Sequence, residues 1–205
     1  ISQSVVSTIN TLYSVCFINS NIATAVGEFG TILRTTNGGT NWRLQSSITL
    51  SDLFDVSFIG ANTGTAVGQS GIILRTTNGG TSWVTQSSSR GSGIFSVFLT
   101  DENNGTAVGA DGMIFKTTNG GTNWISQISG TGEWLYCISF IDENTGTAVG
   151  SGGVILKTIN GGTNWFFQSS GTTDLLYGVS FRDTVNGTAV GINGTILSTT
   201  NGGAN

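Results

Sequence analysis

The chain has 205 residues, of which seven are basic and eleven are acidic, so its net charge is −4. No basic face stands out, so the chain lacks the positive surface of a nucleic-acid-binding protein, and no segment is long and apolar enough for a membrane-spanning helix. Because histidine is absent, the sequence also lacks the commonest general base and metal ligand at neutral pH.

One sequence pattern recurs along the whole chain. An octet, Thr-Thr-Asn-Gly-Gly-Thr-Asn-Trp, occupies residues 35–42 and 117–124, and near copies occupy residues 76–83 and 158–165. A fifth, shorter copy covers residues 199–205, and successive copies start 41 residues apart. Repeats that bury their faces against one another share a continuous core, so we expect residues 1–205 to form a single domain.

Each repeat is predicted to contain four short strands. In the fourth repeat, residues 135–140 alternate between apolar and polar side chains, and turns separate them from strand-like segments at 147–150, 154–158 and 164–168. Asn-Gly-Gly at 160–162 indicates a tight hairpin, because asparagine and glycine tolerate positive φ angles. Four antiparallel strands in each repeat of about 40–50 residues predict an all-β, five-bladed β-propeller.

Apolar columns run through all five repeats. Two columns on the first strand begin at Val15 and Phe17, and an aromatic column precedes them at Tyr13, Phe54, Phe95, Tyr136 and Tyr177. The three columns lie two residues apart along the strand, which places their side chains on the same side of the sheet. We therefore predict that the aromatic side chains are buried between blades. The alternative is that they line sugar-binding sites. The cysteines, Cys16 and Cys137, lie far apart and are interpreted as small apolar residues without a disulfide.

The two ends of the chain are predicted to meet in one blade. The fifth repeat ends before a fourth strand, and the first residues, Ile1-Ser2-Gln3, are similar to the fourth-strand sequence at 125–127. We therefore predict that the N-terminal segment supplies the outer strand of the last blade, paired with residues 195–199. Such pairing would close the ring and cover its end faces.

The octet resembles the Asp-box of bacterial-neuraminidase-type repeats, and the complete repeat is most similar to photosystem II stability/assembly-factor propellers. Both resemblances imply a propeller. In the octet, the oxygens of Thr35 and Asn37 can accept bonds from turn N–H groups, and Gly39 permits a left-handed backbone. The tryptophan covers the hairpin. We assign structural roles to these residues and to the tryptophans of the four complete octets: Trp42, Trp83, Trp124 and Trp165.

One column of basic residues has two interpretations. It contains Arg34, Arg75, Lys116 and Lys157, and Ser198 replaces it in the fifth repeat. The assembly-factor resemblance implies a positive ring that binds an anionic partner. The preferred interpretation is a set of blade-edge charges paired with turn carboxylates, with their aliphatic stems covering apolar surface.

The loops between the fourth strand of one blade and the first strand of the next differ most among the repeats. We expect them on the same propeller face as the turns between second and third strands. Aromatic residues in variable loops are plausible anchors for a partner. The candidate binding residues on this face are Phe29, Asp52, Arg90, Glu133, Trp134 and Asp174. The alternative is that these side chains cover their own blades.

The sequence predicts a non-enzymatic interaction or structural module that binds a protein partner or belongs to a larger assembly. Its low charge and its abundance of Ser, Thr, Asn and Gly suggest a secreted or cell-surface location. A carbohydrate-binding propeller is the first alternative. A glycoside hydrolase is the second, but the acidic residues lie mostly in turns, whereas hydrolysis needs two facing carboxylates. No metal ion or cofactor is expected, because Cys/His metal patterns and phosphate-binding loops are absent.

Overall fold

A computed structural model describes residues 8–86 and 91–204 of the chain as five antiparallel sheets, each formed by one repeat. The strands of every sheet follow one another in chain order, so each sheet is a meander. No helix in these two ranges has the length and apolar character needed to cross a membrane.

The first four sheets each contain four strands. They are β1 (Leu12–Phe17), β2 (Ala23–Gly27), β3 (Ile32–Thr35) and β4 (Arg43–Leu44); β5 (Leu53–Ile59), β6 (Thr63–Gly68), β7 (Ile73–Thr76) and β8 (Val84–Gln86); β9 (Ile94–Leu99), β10 (Gly105–Gly109), β11 (Ile114–Thr117) and β12 (Ile125–Gln127); and β13 (Leu135–Phe140), β14 (Gly146–Gly150), β15 (Ile155–Thr158) and β16 (Phe166–Gln168). The prediction of four-stranded antiparallel blades is confirmed for these repeats.

The fifth sheet contains three strands in the described part of the chain: β17 (Leu176–Phe181), β18 (Gly187–Gly191) and β19 (Ile196–Thr199). In every blade a single 3₁₀ turn connects the second strand to the third. These turns are Glu28–Gly30, Gln69–Gly71, Ala110–Gly112, Ser151–Gly153 and Ile192–Gly194. Five blade-like sheets therefore confirm the predicted all-β, five-bladed propeller class.

The core lies between neighbouring blades. Val26 and Ile32 on the first blade pack against Leu53, Val56 and Phe58 on the second, and equivalent clusters join the following blades. Small residues on the second strands, such as Ala66, let large side chains from the adjacent sheet approach. Each blade is therefore stabilised mainly by apolar area that it buries against its neighbours.

The octet forms the hairpin between the third and fourth strands. In the first copy, the hydroxyl of Thr35 accepts a bond from the Gly39 N–H at 3.0 Å, and the side-chain oxygen of Asn37 accepts one from the Asn41 N–H at 2.9 Å. Gly39 has a φ of 83°, which favours glycine. Thr35 also donates its hydroxyl proton to Asn37, so the side chains hold the turn together.

The octet tryptophan packs against the first strand of its own blade, and at Trp124 it also bonds to the preceding blade. Trp83 packs edge-on against Phe58, with ring centroids 6.0 Å apart, and Trp165 packs similarly against Phe140. The indole N–H of Trp124 donates to the side-chain oxygen of Gln86 on the preceding blade at 3.0 Å. The amide of Gln86 in turn donates to the carbonyl oxygen of Gly120 at 2.9 Å.

A cavity of about 250 Å³ lies between the fourth and fifth blades. Phe181, Leu197 and Gly203 line the cavity, and Phe181 is the equivalent of Phe58 and Phe140.

The two ends of the blade series expose apolar faces. Val15 and Phe17 on the first blade are 52% and 66% exposed, whereas their equivalents Val56 and Phe58 are 4% and 8% exposed. On the last blade Ile196 is 71% exposed. The expected burial between first and last blades is therefore not seen among the described residues. Residues 1–7, which were predicted to form the closing strand, lie outside the described ranges, and that pairing stays a prediction.

The free cysteines, Cys16 and Cys137, are partly buried and form no disulfide, and burial raises the pKa of both thiols. Polar side chains link the first strands of the first three blades. Ser14, Asp55 and Ser96 occupy equivalent positions in three consecutive blades, and the carboxylate of Asp55 accepts a bond from each serine hydroxyl.

Candidate functional site

A β-bulge in every blade changes the direction of the aromatic column. In the second blade, Leu53 pairs with Gly68 and Asp55 pairs with Val67, so Phe54 is an extra residue on its strand. The other four first strands contain the same bulge. Because an inserted residue shifts the alternation of side chains, the residue before the bulge, such as Leu53, takes the fully buried position.

The aromatic side chains at the bulges contact each other instead of joining the apolar clusters between blades. Successive ring centroids lie 5.7, 5.8, 5.4 and 5.0 Å apart, and we call this set the aromatic arc: Tyr13, Phe54, Phe95, Tyr136 and Tyr177. Tyr13 and Tyr177 are exposed, and the three central rings are partly exposed. The prediction that this column is buried between blades is therefore wrong, because the bulge shifts the alternation of side chains on which the prediction depended.

The aromatic arc lies beside two sets of loops. The backbone N–H of Ser151, in a 3₁₀ turn, donates to the carbonyl oxygen of Trp134, which precedes the next first strand. The same bond recurs in every blade. The hydroxyl of Tyr13 also donates to Glu28 in such a turn at 3.4 Å. The two loop sets and the aromatic arc therefore share one face, which we call the upper face.

Trp134 extends the aromatic arc toward solvent. Its ring lies 5.5 Å from Phe95 and 6.3 Å from Tyr136, and the side chain is 46% exposed. Trp134 thus rests on the aromatic arc while one face of its ring remains accessible. Both sequence interpretations of this residue, cover for a blade and anchor for a partner, are compatible with that position.

Phe29 adopts a backbone conformation that is unusual for an aromatic residue. Its φ is 53°, and the equivalent positions in the other blades contain residues that accept this region more readily: Ser70, Asp111, Gly152 and Asn193. The side chain is 63% exposed, so burial does not compensate for the backbone conformation. Backbone strain of this kind is often found at binding sites, and the observation supports a role on the upper face.

Five carboxylates lie in the turns and loops of the upper face, and we call them the acidic rim: Glu28, Asp52, Asp111, Glu133 and Asp174. Asp52 accepts a bond from the Phe29 N–H at 3.0 Å, which links neighbouring blades. Asp174 accepts bonds from Asn193 and Thr195 within its own blade. A bond from the Thr11 N–H lowers the pKa of Glu28, which is therefore ionised at neutral pH.

None of the acidic-rim carboxylates forms an ion pair within residues 8–86 and 91–204. The ion pair found in these ranges joins Arg182 and Asp183, which lie in the turn between β17 and β18 at the opposite face. Within the same ranges, no cluster of three or more metal-ligating side chains occurs. Arg90, the basic residue expected near this face, lies outside the described ranges.

The basic column points away from the aromatic arc. Arg34 and Arg75 are buried, and each donates to a backbone carbonyl oxygen on the next blade, at Ala61 and Glu102 respectively. Burial lowers the pKa of both guanidinium groups. Arg34 also lies 5.0 Å above the ring of Phe58.

The two lysines of the column follow the same pattern. Lys157 donates to the carbonyl oxygen of Gly202 at 2.6 Å, and Lys116 lies beside Gly161 on the following blade. The preferred sequence interpretation, pairing with turn carboxylates, needs correction. The contacts are with backbone carbonyl groups and glycines of the next blade, because the long side chains reach across the blade junction.

Comparison with known proteins agrees with this architecture. The family model described as photosynthesis system II assembly factor YCF48 matches residues 2–135. No curated protein sequence matches the chain significantly.

Solved structures show a similar fold. "YCF48 bound to D1 peptide" is 20% identical, with a TM-score of 0.55 over 99% of this chain and 81% of that chain. YCF48 from Cyanidioschyzon merolae is 19% identical, with a TM-score of 0.55 over 100% and 86%. A GH74 enzyme from Niastella koreensis is 15% identical, with a TM-score of 0.75 over 94% of this chain and 37% of that chain. At these identities the likeness concerns the fold.

Proposed function

The chain belongs to the family of the photosynthesis system II assembly factor YCF48, and from this membership we propose that it is a non-enzymatic propeller that binds a protein partner. One structure with the same fold contains YCF48 bound to a D1 peptide, which supports peptide binding as a capacity of such propellers. We place the binding surface of this chain on the upper face.

The observation that carries this proposal is the exposed aromatic surface that the five bulges create. Aromatic side chains on rigid strands supply contact area at little entropic cost, and they are enriched at the centres of protein interfaces. Trp134 and Phe29 add exposed rings from the loops above these strands. The strained backbone at Phe29 is easier to explain by a contact that this side chain makes with a partner than by a contribution to folding.

A substitution at Phe29 separates binding from folding. Phe29→Asn introduces the residue type that Asn193 provides at the equivalent position, where φ is 55°. We expect the melting temperature to stay the same or rise, because asparagine tolerates this conformation better than phenylalanine. Affinity for a partner peptide should fall, because an exposed ring is removed.

The partner peptides for this test can come from a display library of random short peptides selected on the native protein. Enriched peptides should bind Phe29→Asn and Trp134→Ala less well than the native chain. Phe166→Ala is the matched control, because Phe166 is 56% exposed but lies on the outer strand β16. If no peptide is enriched, or if all three variants bind equally well, the upper face is not a protein-binding surface.

Carbohydrate binding is a second candidate, supported by the exposed ring of Trp134, since sugars stack on accessible aromatic faces. A glycan array probed with native and Trp134→Ala protein tests it. Binding that depends on Trp134, together with no peptide enrichment, would favour this alternative over the protein-binding proposal.

We also propose that the module works in a larger or multimeric assembly outside the cell. The exposed apolar faces of the first and last blades support the assembly, because monomers rarely expose large apolar patches. The low charge and the polar, Gly-rich composition support the extracellular location. A monomeric mass at all concentrations in analytical ultracentrifugation would contradict the multimer, and retention of the expressed protein inside its native cells would contradict the location.

A further inference from the structure

We propose that the upper face binds a cationic peptide segment, whose apolar or aromatic side chains lie on the aromatic arc and whose Lys or Arg side chains meet the acidic rim. This inference rests on the proposed protein-binding function and specifies the chemistry of the partner. It joins two independent observations, an accessible row of aromatic rings and a set of carboxylates without cationic partners in the described ranges.

The first step concerns charge. The five acidic-rim carboxylates lie on one face, and the described basic residues lie elsewhere. Arg34 and Arg75 are buried against the next blade, Lys157 binds a carbonyl oxygen there, and Arg182 pairs with Asp183. The described part of the upper face is therefore negative, and such a surface attracts cations and repels nucleic acids and anionic lipids.

The second step concerns the rings. Five rings spaced 5.0–5.8 Å apart give the aromatic arc a contour of roughly 20 Å. An extended peptide advances about 3.3 Å per residue, so a peptide that follows this contour needs about six residues. Aromatic faces attract guanidinium and ammonium groups as well as apolar side chains, and the rings therefore favour the same partner as the carboxylates.

The third step concerns position. Glu28 contacts Tyr13 at one end of the aromatic arc, and Glu133 directly precedes Trp134 near its middle. Each carboxylate therefore lies beside a ring that a peptide side chain could cover. An extended segment that lies between the aromatic arc and the acidic rim, and that alternates basic and apolar residues, would direct one kind of side chain to each set, because successive side chains of an extended chain point in opposite directions.

The test uses three labelled probe peptides of about eight residues, matched to the row of rings. One alternates Lys with Phe, one alternates Glu with Phe, and one alternates Lys with Ser. Fluorescence anisotropy with the complete chain should show the tightest binding for the Lys–Phe peptide, because only this peptide uses both the rings and the charges. Equal or tighter binding of the Glu–Phe peptide would overturn the proposal.

Charge-removing variants locate the contact. Glu133→Gln and Asp111→Asn change exposed side chains and should each weaken Lys–Phe binding about threefold to tenfold. Glu143→Gln is the matched control, because Glu143 is also exposed but lies in the turn between β13 and β14 at the opposite face. A control variant that weakens binding as much as the two acidic-rim variants would indicate a nonspecific charge effect and would overturn the proposed site.

Salt and aromatic variants complete the experiment. Raising the ionic strength from about 0.01 M to about 0.15 M shortens the Debye length from about 30 Å to about 8 Å and should weaken Lys–Phe binding. Tyr177→Ala should weaken it at both salt concentrations, because the ring contact is not screened. Salt-independent binding, or an unchanged affinity in Tyr177→Ala, would contradict the proposal.

The two proposals fail in different ways. If the library selection enriches neutral or acidic peptides that depend on Trp134, the protein-binding function holds and the cationic partner is wrong. If neither the library nor the probe peptides bind while the glycan array does, the protein-binding function itself is wrong. A melting curve of each variant establishes that lost binding does not reflect unfolding.

Discussion

Asp55 on the inner strand β5 offers a direct test of how neighbouring blades are held together. Its two carboxylate oxygens accept four hydrogen bonds. The hydroxyls of Ser14 and Ser96, on the preceding and following blades, donate at 2.7 and 2.9 Å, and the backbone N–H groups of Val56 and Val97 donate at 2.8 and 2.9 Å. A single side chain therefore links three blades.

Replacing Asp55 with asparagine leaves one of the two backbone N–H groups without an acceptor. An asparagine amide has one oxygen, and its NH₂ group must face either the Val56 or the Val97 N–H. An unsatisfied group in such a position costs about 1–3 kcal/mol. For a protein of this size we expect the melting temperature to fall by about 2–4 °C per kcal/mol.

The pH dependence of the same variant tests the electrostatic part of the reasoning. Burial raises the pKa of Asp55, and the four hydrogen bonds offset this only in part. A carboxyl group with a raised folded-state pKa contributes stability below its unfolded pKa, near 4, and loses it as the pH rises through the folded pKa. The stability difference between native and Asp55→Asn protein should therefore shrink as the pH rises above about 4.

Urea unfolding followed by tryptophan fluorescence measures this difference at each pH. The comparison is internally controlled, because other titrating groups are shared by the two proteins and cancel. A difference that grows with pH would refute the reasoning, since it would mean that the hydrogen bonds to the ionised carboxylate outweigh the effect of burial.

Three further predictions concern other contacts of the fold. Hydrogen bonds hold the pKa of Asp183 at about 2, so the native turn should lose stability as the pH falls from about 4 toward 2, and acid unfolding of Asp183→Asn should lack this loss. Arg75→Met should destabilise the chain by about 1.5–3 kcal/mol in urea unfolding, whereas Arg43→Met, at an exposed position, should change it by less than about 0.5 kcal/mol. Gly121→Ala should lower the melting temperature because its Cβ would lie 1.9 Å from a side-chain oxygen, whereas Gly132→Ala, with no atom within 4 Å, should not; equal effects would contradict this assignment.

The repeat and its turns could be predicted from the sequence because their signals are local. The Asn-Gly-Gly signal depends on which residues tolerate a positive φ, and Gly161 and Gly162 have φ values of 65° and 84°. The alternation at 135–140 likewise predicted β13 with the observed bounds. The 41-residue period also predicted the number of blades, because the chain contains five repeats and each repeat forms one sheet.

The aromatic arc was not predicted, because a period-two alternation assumes that each residue of a strand pairs with one residue of the neighbouring strand. At Phe54 the strand contains one residue more than its partner, and the side chains before and after it no longer follow the expected alternation. A signal was nevertheless present. Leu53 and Val56 are both apolar and three residues apart, which is incompatible with a simple strand that buries both.

The contacts of the basic column also could not be predicted from the sequence. Arg34 and the carbonyl oxygen of Ala61 are 27 residues apart and meet only because adjacent blades stack. Whether the first and last blades meet depends similarly on the angle between sheets, which the repeat does not specify. The exposed Val15 and Ile196 show that equal repeats need not bury equal faces.

Differences among the repeats have a consequence for binding. A residue needed by every blade recurs in every repeat, as the residues of the aromatic arc do. Five identical blades would therefore let a peptide bind in several alignments along the aromatic arc. Phe29 and Trp134 each occur on one blade, so they break this equivalence. A peptide whose side chains contact both rings can lie along the aromatic arc in one register only. Removing Trp134 should therefore reduce selectivity among peptide sequences more than it reduces affinity for cationic peptides as a class.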